Sequence, residues 1–225
     1  MMPAAPIESS TSPFAYQAFV KASYQDFLGR QPSIGELSIQ STALSQGRVS
    51  VADYLTSLSR SDEWLSAIVT KMYADTLHRS PDPAGLAGWV KALRTNQWSV
   101  AQVASFFYAS DEYFKNYAES SAQTWVAGLY LKLLNRAWDP LGLAQWVNQT
   151  NDPKYGRSWV AYNFYQSDES RMKRVQALYQ TLLLRDPDPV GWAWWKVTVL
   201  STGDLVLATQ IAGSQEYREK ANIRY

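Results

Sequence analysis

Residues 130–146 read YLKLLNRAWDPLGLAQW, and this stretch decides the fold. Tyr130 and Leu134 stand four residues apart, which places them on one face of a helix. Arg136 follows at the C-terminal end of that helix, where a cation complements the dipole and bonds free carbonyls. Asp139-Pro140 then opens a second helix. An aspartate at the N-cap accepts bonds from the first amides, and proline at the next position has the required φ and no donor to lose. Gly142, in the first turn, is expected to let two backbones approach closely. Trp146, four residues later, is expected to pack inward on the same face.

The string recurs along the chain. Tyr24 and Arg30, Tyr73 and Arg79, Tyr130 and Arg136, and Tyr179 and Arg185 are each six residues apart, with Leu28, Leu77, Leu134 and Leu183 four after the tyrosine. Asp82, Gly85 and Trp89, and likewise Asp188, Gly191 and Trp195, repeat the spacing of Asp139, Gly142 and Trp146. Each unit later carries a serine followed by acidic and bulky residues: Ser61-Asp62-Glu63-Trp64, Ser110-Asp111-Glu112-Tyr113, Ser167-Asp168-Glu169 and Ser214-Gln215-Glu216-Tyr217. The arginine-to-serine distance is 31, 31, 31 and 29. The first unit departs, with Ser33, Glu36 and Gln40 in the places of aspartate, glycine and tryptophan, as terminal units of repeat arrays commonly do.

Two further helices per repeat follow from local signals. Ser99 to Gln102 fits a capping box, with Trp98 and Val103 as the accompanying staple. Val51, Tyr54, Leu55 and Leu58 match Val100, Val103, Ala104 and Phe107 at helical spacing. A fourth, short helix is expected at each Ser-Asp-Glu signal, where acidic residues suit the positive end of the dipole. The expected fold is all-α: four tandem helical repeats of about fifty residues, several short helices each, joined by Asp-Pro corners. Residues 1–13 are small, polar and proline-containing, and read as a flexible arm or the cut edge of a longer chain. Residues 14–121 hold repeats one and two and residues 122–225 hold repeats three and four, the halves packing separately or as one domain.

Composition narrows the function. The 225 residues are 46% hydrophobic and only 18% charged, with a formal net charge of +1, which excludes a disordered polyampholyte and argues against nucleic-acid binding through bulk charge. No apolar run approaches the ~18 residues that a membrane span needs. With no cysteine, the chain has no disulfides, zinc-thiolate sites or cysteine nucleophiles.

The string Tyr-x3-Leu-x-Arg-x2-Asp-x2-Gly-x3-Trp, with the later Ser-Asp-Glu-Tyr, resembles a bacterial family catalogued as domain of unknown function 4214, itself distantly similar to the linker domains of phycobilisomes. The likeness runs from about Phe14 to Tyr225 and recurs in every unit, with the first departing at three motif positions. Members commonly occur in secreted or surface-associated bacterial proteins, so the resemblance implies an extracellular or assembly module. It transfers no catalytic residue.

The motif arginines and aspartates are expected to clasp consecutive helices rather than catalyse, since active sites are not usually copied in every unit of an array. His78, the single histidine, precedes Arg79 near a helix end and reads as a surface or capping residue. No carboxylate pair has spacing that suggests glycoside hydrolysis. Asp186-Pro187-Asp188 with Gly191 falls short of a calcium loop, because the twelfth position is Val197. Arg171, Lys173 and Arg174 read as a solvated helix face. No metal or cofactor is expected.

The ten tryptophans are sorted by register. Trp89, Trp146 and Trp195 are repeat positions assigned to the core. Trp64 aligns with Tyr113 and Tyr217, Trp192 with Leu86 and Leu143, Trp98 belongs to the staple and Trp159 is set against Val100. Trp138, Trp194 and Trp125 are left over and are the candidate ligand-binding residues, since exposed aromatics are the usual platform for sugars or protein partners. The expected function is a non-catalytic extracellular or surface-associated module that binds a glycan or a protein, with self-assembly open to it and no nucleic-acid partner or membrane insertion. A structural subunit of a layer, filament or virion is the first alternative, and a polysaccharide-acting enzyme the second.

Overall fold

The computed structural model describes residues 14–225; the expected arm, 1–13, lies outside them. All regular elements among the described residues are helices. In chain order they are α1 (Gln17–Ser23), α2 (Ile34–Ser45), α3 (Val51–Ser59), α4 (Asp62–Met72), α5 (Pro83–Arg94), α6 (Val100–Ala109), α7 (Asp111–Tyr117), α8 (Ala122–Leu134), α9 (Pro140–Asn151), α10 (Gly156–Tyr165), α11 (Asp168–Leu183), α12 (Pro189–Thr202), α13 (Asp204–Ala212) and α14 (Gln215–Arg224). The all-α expectation holds.

The local signals act as their chemistry requires. Asp82, Asp139 and Asp188 cap α5, α9 and α12, each accepting from the glycine amide three residues on, with proline in the first turn. Ser99 and Gln102 form the capping box of α6. Trp98 sets its ring edge-on to Phe106 at 5.1 Å, about one turn beyond the Val103 of the expected staple. The fourth helix is separate and short in α7. At Asp62 and Asp168 it runs without a break into the tyrosine helix of the following repeat, as α4 and α11. α1 and α4 end in a wider turn, Tyr24–Leu28 and Tyr73–Leu77.

The chain divides into two compact units, one of residues up to Ala67 with Val175–Tyr225, the other of Ile68–Arg174. A split between 121 and 122 is therefore not where the units part. The physical reason lies in the third helices: α3 packs on α13 in the first unit and α6 on α10 in the second, so repeat one pairs with repeat four and repeat two with repeat three. In the first unit Phe19, Leu55, Leu207, Ile211 and Tyr217 are fully buried, each worth about 1.5–3 kcal/mol if aliphatic or phenyl. α1 also packs on α14, where Phe19 and Tyr217 meet edge to face at 5.8 Å. There Asp26 accepts the Tyr217 hydroxyl at 2.8 Å and two bonds from Arg224 at 2.9 Å. The second unit buries Val103, Phe107, Trp125, Val160 and Phe164.

Candidate functional site

The repeated motif builds one clasp four times. Each arginine lies over the face of the tyrosine six residues before it, with centroid distances of 5.1, 4.9, 4.8 and 5.2 Å for Arg30, Arg79, Arg136 and Arg185. Its guanidinium makes a bidentate pair with the glutamate of Ser-Asp-Glu: Glu112 at 2.7 and 2.9 Å for Arg79, and Glu169 at 2.7 and 2.9 Å for Arg136. Glu63 and Glu216 hold Arg30 and Arg185 in the same way. The aspartates are only loosely paired, Asp139 at 3.7 Å from Arg136 and Asp188 at 3.9 Å from Arg185. The clasp thus joins arginine to a glutamate 33 residues away, or 31 in the last repeat, rather than to the aspartate three residues on. The arginine pushes the Glu112, Glu169 and Glu216 carboxyls below the usual range. Asp139 and Asp188 are lowered chiefly by the amides they cap.

The glycines serve the tyrosine hydroxyl rather than a backbone approach. A Cβ on Gly85 would stand 2.6 Å from Tyr73 Oη and one on Gly191 3.0 Å from Tyr179 Oη, and at Gly142 the overlap with Tyr130 Oη is closer still. Repeat one solves the same problem differently. Ser33 caps α2, and Glu36, in the glycine place, bonds back to the Ser33 amide and to Arg30 at 2.8 and 3.0 Å. The Arg30 guanidinium, followed by the Ser33 bonds, holds the Glu36 carboxyl down at about 2.

His78 occupies a left-handed position (φ 50°) just after a helix, as do Gly29, Asn135 and Leu184 in the other repeats. It is a capping residue, and its ring meets Tyr117 edge-on at 4.9 Å. Arg171 and Arg174 are not a solvated face: Arg171 is buried and bonds Asp168, while Arg174 lies 4.0 Å over the Tyr165 ring. Asp186 accepts from Gln176 and Gln180, and Asp188 is a cap. Among the described residues no group of three or more acidic or histidine side chains could hold a metal ion, and no helix is long and apolar enough to cross a membrane.

The tryptophans separate clearly. Trp125 is not a surface residue: it is fully buried and its indole donates to the Tyr108 carbonyl at 2.7 Å. It precedes Tyr130 by five residues, as the equally buried Phe19 precedes Tyr24, a register that marks it as core. Trp89, Trp146 and Trp195 are half-buried, Trp89 stacking on Phe106 at 5.9 Å and Trp195 donating to the Tyr179 hydroxyl at 2.6 Å. Trp64 packs 4.8 Å from Phe27 and Trp192 against the first unit's core. Trp159 is exposed; it follows Arg136 by 23 residues, as Gln102 and not Val100 follows Arg79.

Trp138 and Trp194 are exposed, at 44% and 64%. Trp138 stands at the corner before α9, on the wall of an open depression of about 230 Å³ whose other walls are Gln123, Pro140, Leu143, Ala144 and Val147. Gln123, at the start of α8, adds the one side-chain amide; among the repeats only Gln17 shares its register, seven residues before the motif tyrosine. Trp194 projects from the exposed side of α12.

The depression and one complete clasp, Arg136 with Glu169, fall in a single stretch of chain. Residues 104–174 match the family model for Domain of unknown function (DUF4214). This is the family that the repeated string resembles, and the DUF4214 segment lies wholly within the second unit. It carries Tyr130, Arg136, Asp139, Gly142 and Trp146 in order and takes in α10 with the C-terminal part of α6. No curated protein and no solved structure matches the chain.

Proposed function

We propose that this protein is a non-catalytic binding module that takes a glycan at the Trp138 depression. The observation that carries the reading is an indole left 44% exposed at a corner where the other aligned repeats have proline, Pro81 and Pro187. It stands beside an apolar floor and the Gln123 amide. The apolar face of a pyranose stacks on such a ring, and the amide offers both a donor and an acceptor for hydroxyls. The motif carboxylates and guanidiniums are engaged in caps and bidentate pairs, which supports recognition over catalysis. The resemblance to surface and secreted proteins supports an extracellular or surface-associated setting.

Titrating purified protein with a panel of bacterial and plant polysaccharides, read by tryptophan fluorescence and by chemical shifts of Trp138 and Gln123, tests the reading. Saturable binding that Trp138→Ala weakens more than tenfold at unchanged melting temperature is expected. Saturable binding undiminished in that variant would place the site elsewhere. Turnover of a bound glycan would replace the module with an enzyme.

A further inference from the structure

The two halves of the chain hold each other but are joined covalently at one place. Helix α1 packs on α14, α3 on α13 and α6 on α10, and each pair sets a helix before residue 118 against one after residue 121. Across that divide Phe19 meets Tyr217 at 5.8 Å, and the Tyr108 carbonyl accepts the Trp125 indole at 2.7 Å. The covalent link is 118–121, where Glu119 and Ser120 hold φ at 52° and 56°. Left-handed backbone costs an L side chain energy that glycine avoids. Among the described residues no other two neighbours share it.

The two corresponding joints are built differently. α4 and α11 run from the Ser-Asp-Glu signal toward the next motif tyrosine without a break, and each carries the chain from one unit into the other. A straight joint thus parts successive repeats, whereas the bent joint lets repeats two and three close on each other. The bent joint also spans more chain, 20 residues from Ser110 to Tyr130 against 12 from Ser61 to Tyr73 and from Ser167 to Tyr179. Nothing in 111–134 forbids a continuous helix: the stretch has no proline, and Ala118 and Glu119 are good helix formers.

We infer that 118–121 is a hinge through which two copies of the chain exchange halves. Straightened, it fuses α7 and α8 and removes both left-handed residues. It then sets the halves of one chain about two helical turns, ~12 Å, farther apart than the straight joints do. Each half finds its complement in the second copy, residues 14–117 of one on 122–225 of the other. What covers each half is the surface that covers it in the single chain, so the buried contacts are rebuilt between copies and no new face is needed. Short joints under strain favour such an exchange. Because both units must open first, the exchange takes place during folding and persists afterwards. The Trp138 depression lies wholly beyond the hinge, so an exchanged pair carries two intact copies of it, and either reading can fail alone.

The full chain, unfolded in urea, is refolded at about 5 and at about 500 µM, and the products are separated by size at one low concentration. A dimer is expected from the concentrated refolding alone, and it should persist on dilution. In a dimer refolded from isotope-labelled and unlabelled chains together, the Phe19–Tyr217 contact should appear between copies. Glu119→Gly with Ser120→Gly removes the cost of the bent form and is expected to lower the dimer fraction about fivefold or more. Glu119→Ala with Ser120→Ala is expected to raise it. A chain that refolds to monomer alone at the higher concentration overturns the inference. So does a dimer in which Phe19 meets only the Tyr217 of its own copy, or one whose yield the glycine pair leaves unchanged.

Discussion

Gly142→Ala is expected to destabilise the protein, against the usual rule for a glycine inside a helix. In an open helical site the change removes backbone entropy from the unfolded chain and gains about 0.8–1 kcal/mol. Gly88, with nothing within 4 Å of a built Cβ, is such a site and provides the control. At Gly142 the methyl would land on Tyr130 Oη and within 2.9 Å of the Asp139 cap carboxylate. Tyr130 cannot withdraw: its ring is 3% exposed, stands edge-on to Phe164 at 5.0 Å, lies 4.8 Å under Arg136, and its hydroxyl is bonded by Trp146. Overpacking of this kind costs about 1–3 kcal/mol; set against the helix gain, and with Gly142 the tightest of the three notches, the net loss runs up to about 2 kcal/mol, or a few degrees for a chain of this length. Gly85→Ala, at 2.6 Å from Tyr73 Oη, follows in severity, and Gly191→Ala, at 3.0 Å from Tyr179 Oη, is mildest. Urea denaturation of the four variants measures the series. In a Tyr130→Phe background Gly142→Ala should turn neutral or stabilising, since the hydroxyl is gone. If Gly142→Ala in the parent stabilises as Gly88→Ala does, the tyrosine-in-notch reasoning is refuted.

Three other outcomes follow from the geometry. Leu184 sits at φ 53° and is 60% exposed, so Leu184→Gly should raise stability by about 1 kcal/mol; a lower thermal midpoint would count against the strain. Glu36, Glu112, Glu169 and Glu216 are all lowered in the folded state. Their contribution is therefore complete above the unfolded carboxylate value near ~4.3 and is lost as pH falls through the folded values, down to about 2 for Glu36. The urea midpoint should fall between about pH 5 and pH 2, and less steeply in Glu36→Gln; a flat profile would contradict it. Asp26→Ala strands the Arg224 guanidinium and the buried Tyr217 hydroxyl, and should cost about 3–5 kcal/mol by chemical denaturation; a cost under ~1 kcal/mol, typical of an exposed pair, would show that the contact is not a buried one.

What the sequence makes legible is what the chemistry makes local. The caps at Asp82, Asp139 and Asp188 follow from two adjacent residues, because a cap needs only its own first turn. The partner of each arginine requires a second signal, the glutamate of Ser-Asp-Glu, whose spacing of 33 residues is constant in three repeats but has meaning only once the chain folds back. Trp125 and Trp159 are matters of register: counted from the motif, one falls at the buried Phe19 position and the other at the Gln102 cap position. The pairing of repeat one with four and two with three has no local signature, since α3, α6, α10 and α13 all carry similar inward faces. Gln123 at the depression shares its register only with Gln17, the other two repeats having Ser66 and Met172 there, so the repeat pattern does not single it out.

The most direct test of the account compares two residues that are two positions apart. Arg136 is part of the clasp, and Trp138 is the aromatic added at the corner beside it. Melting temperature and glycan affinity are measured for Arg136→Ala and Trp138→Ala, with affinity taken well below both transitions. Arg136→Ala removes a half-exposed bidentate pair and a cation–π contact, together worth about 1–2 kcal/mol, and should lower the melting temperature while leaving affinity within a factor of two. Trp138→Ala should leave the melting temperature in place and lower affinity more than tenfold, as loss of a binding hot spot does. The reverse pattern, with affinity lost at Arg136 and stability lost at Trp138, would contradict the division between a structural motif and an added binding surface.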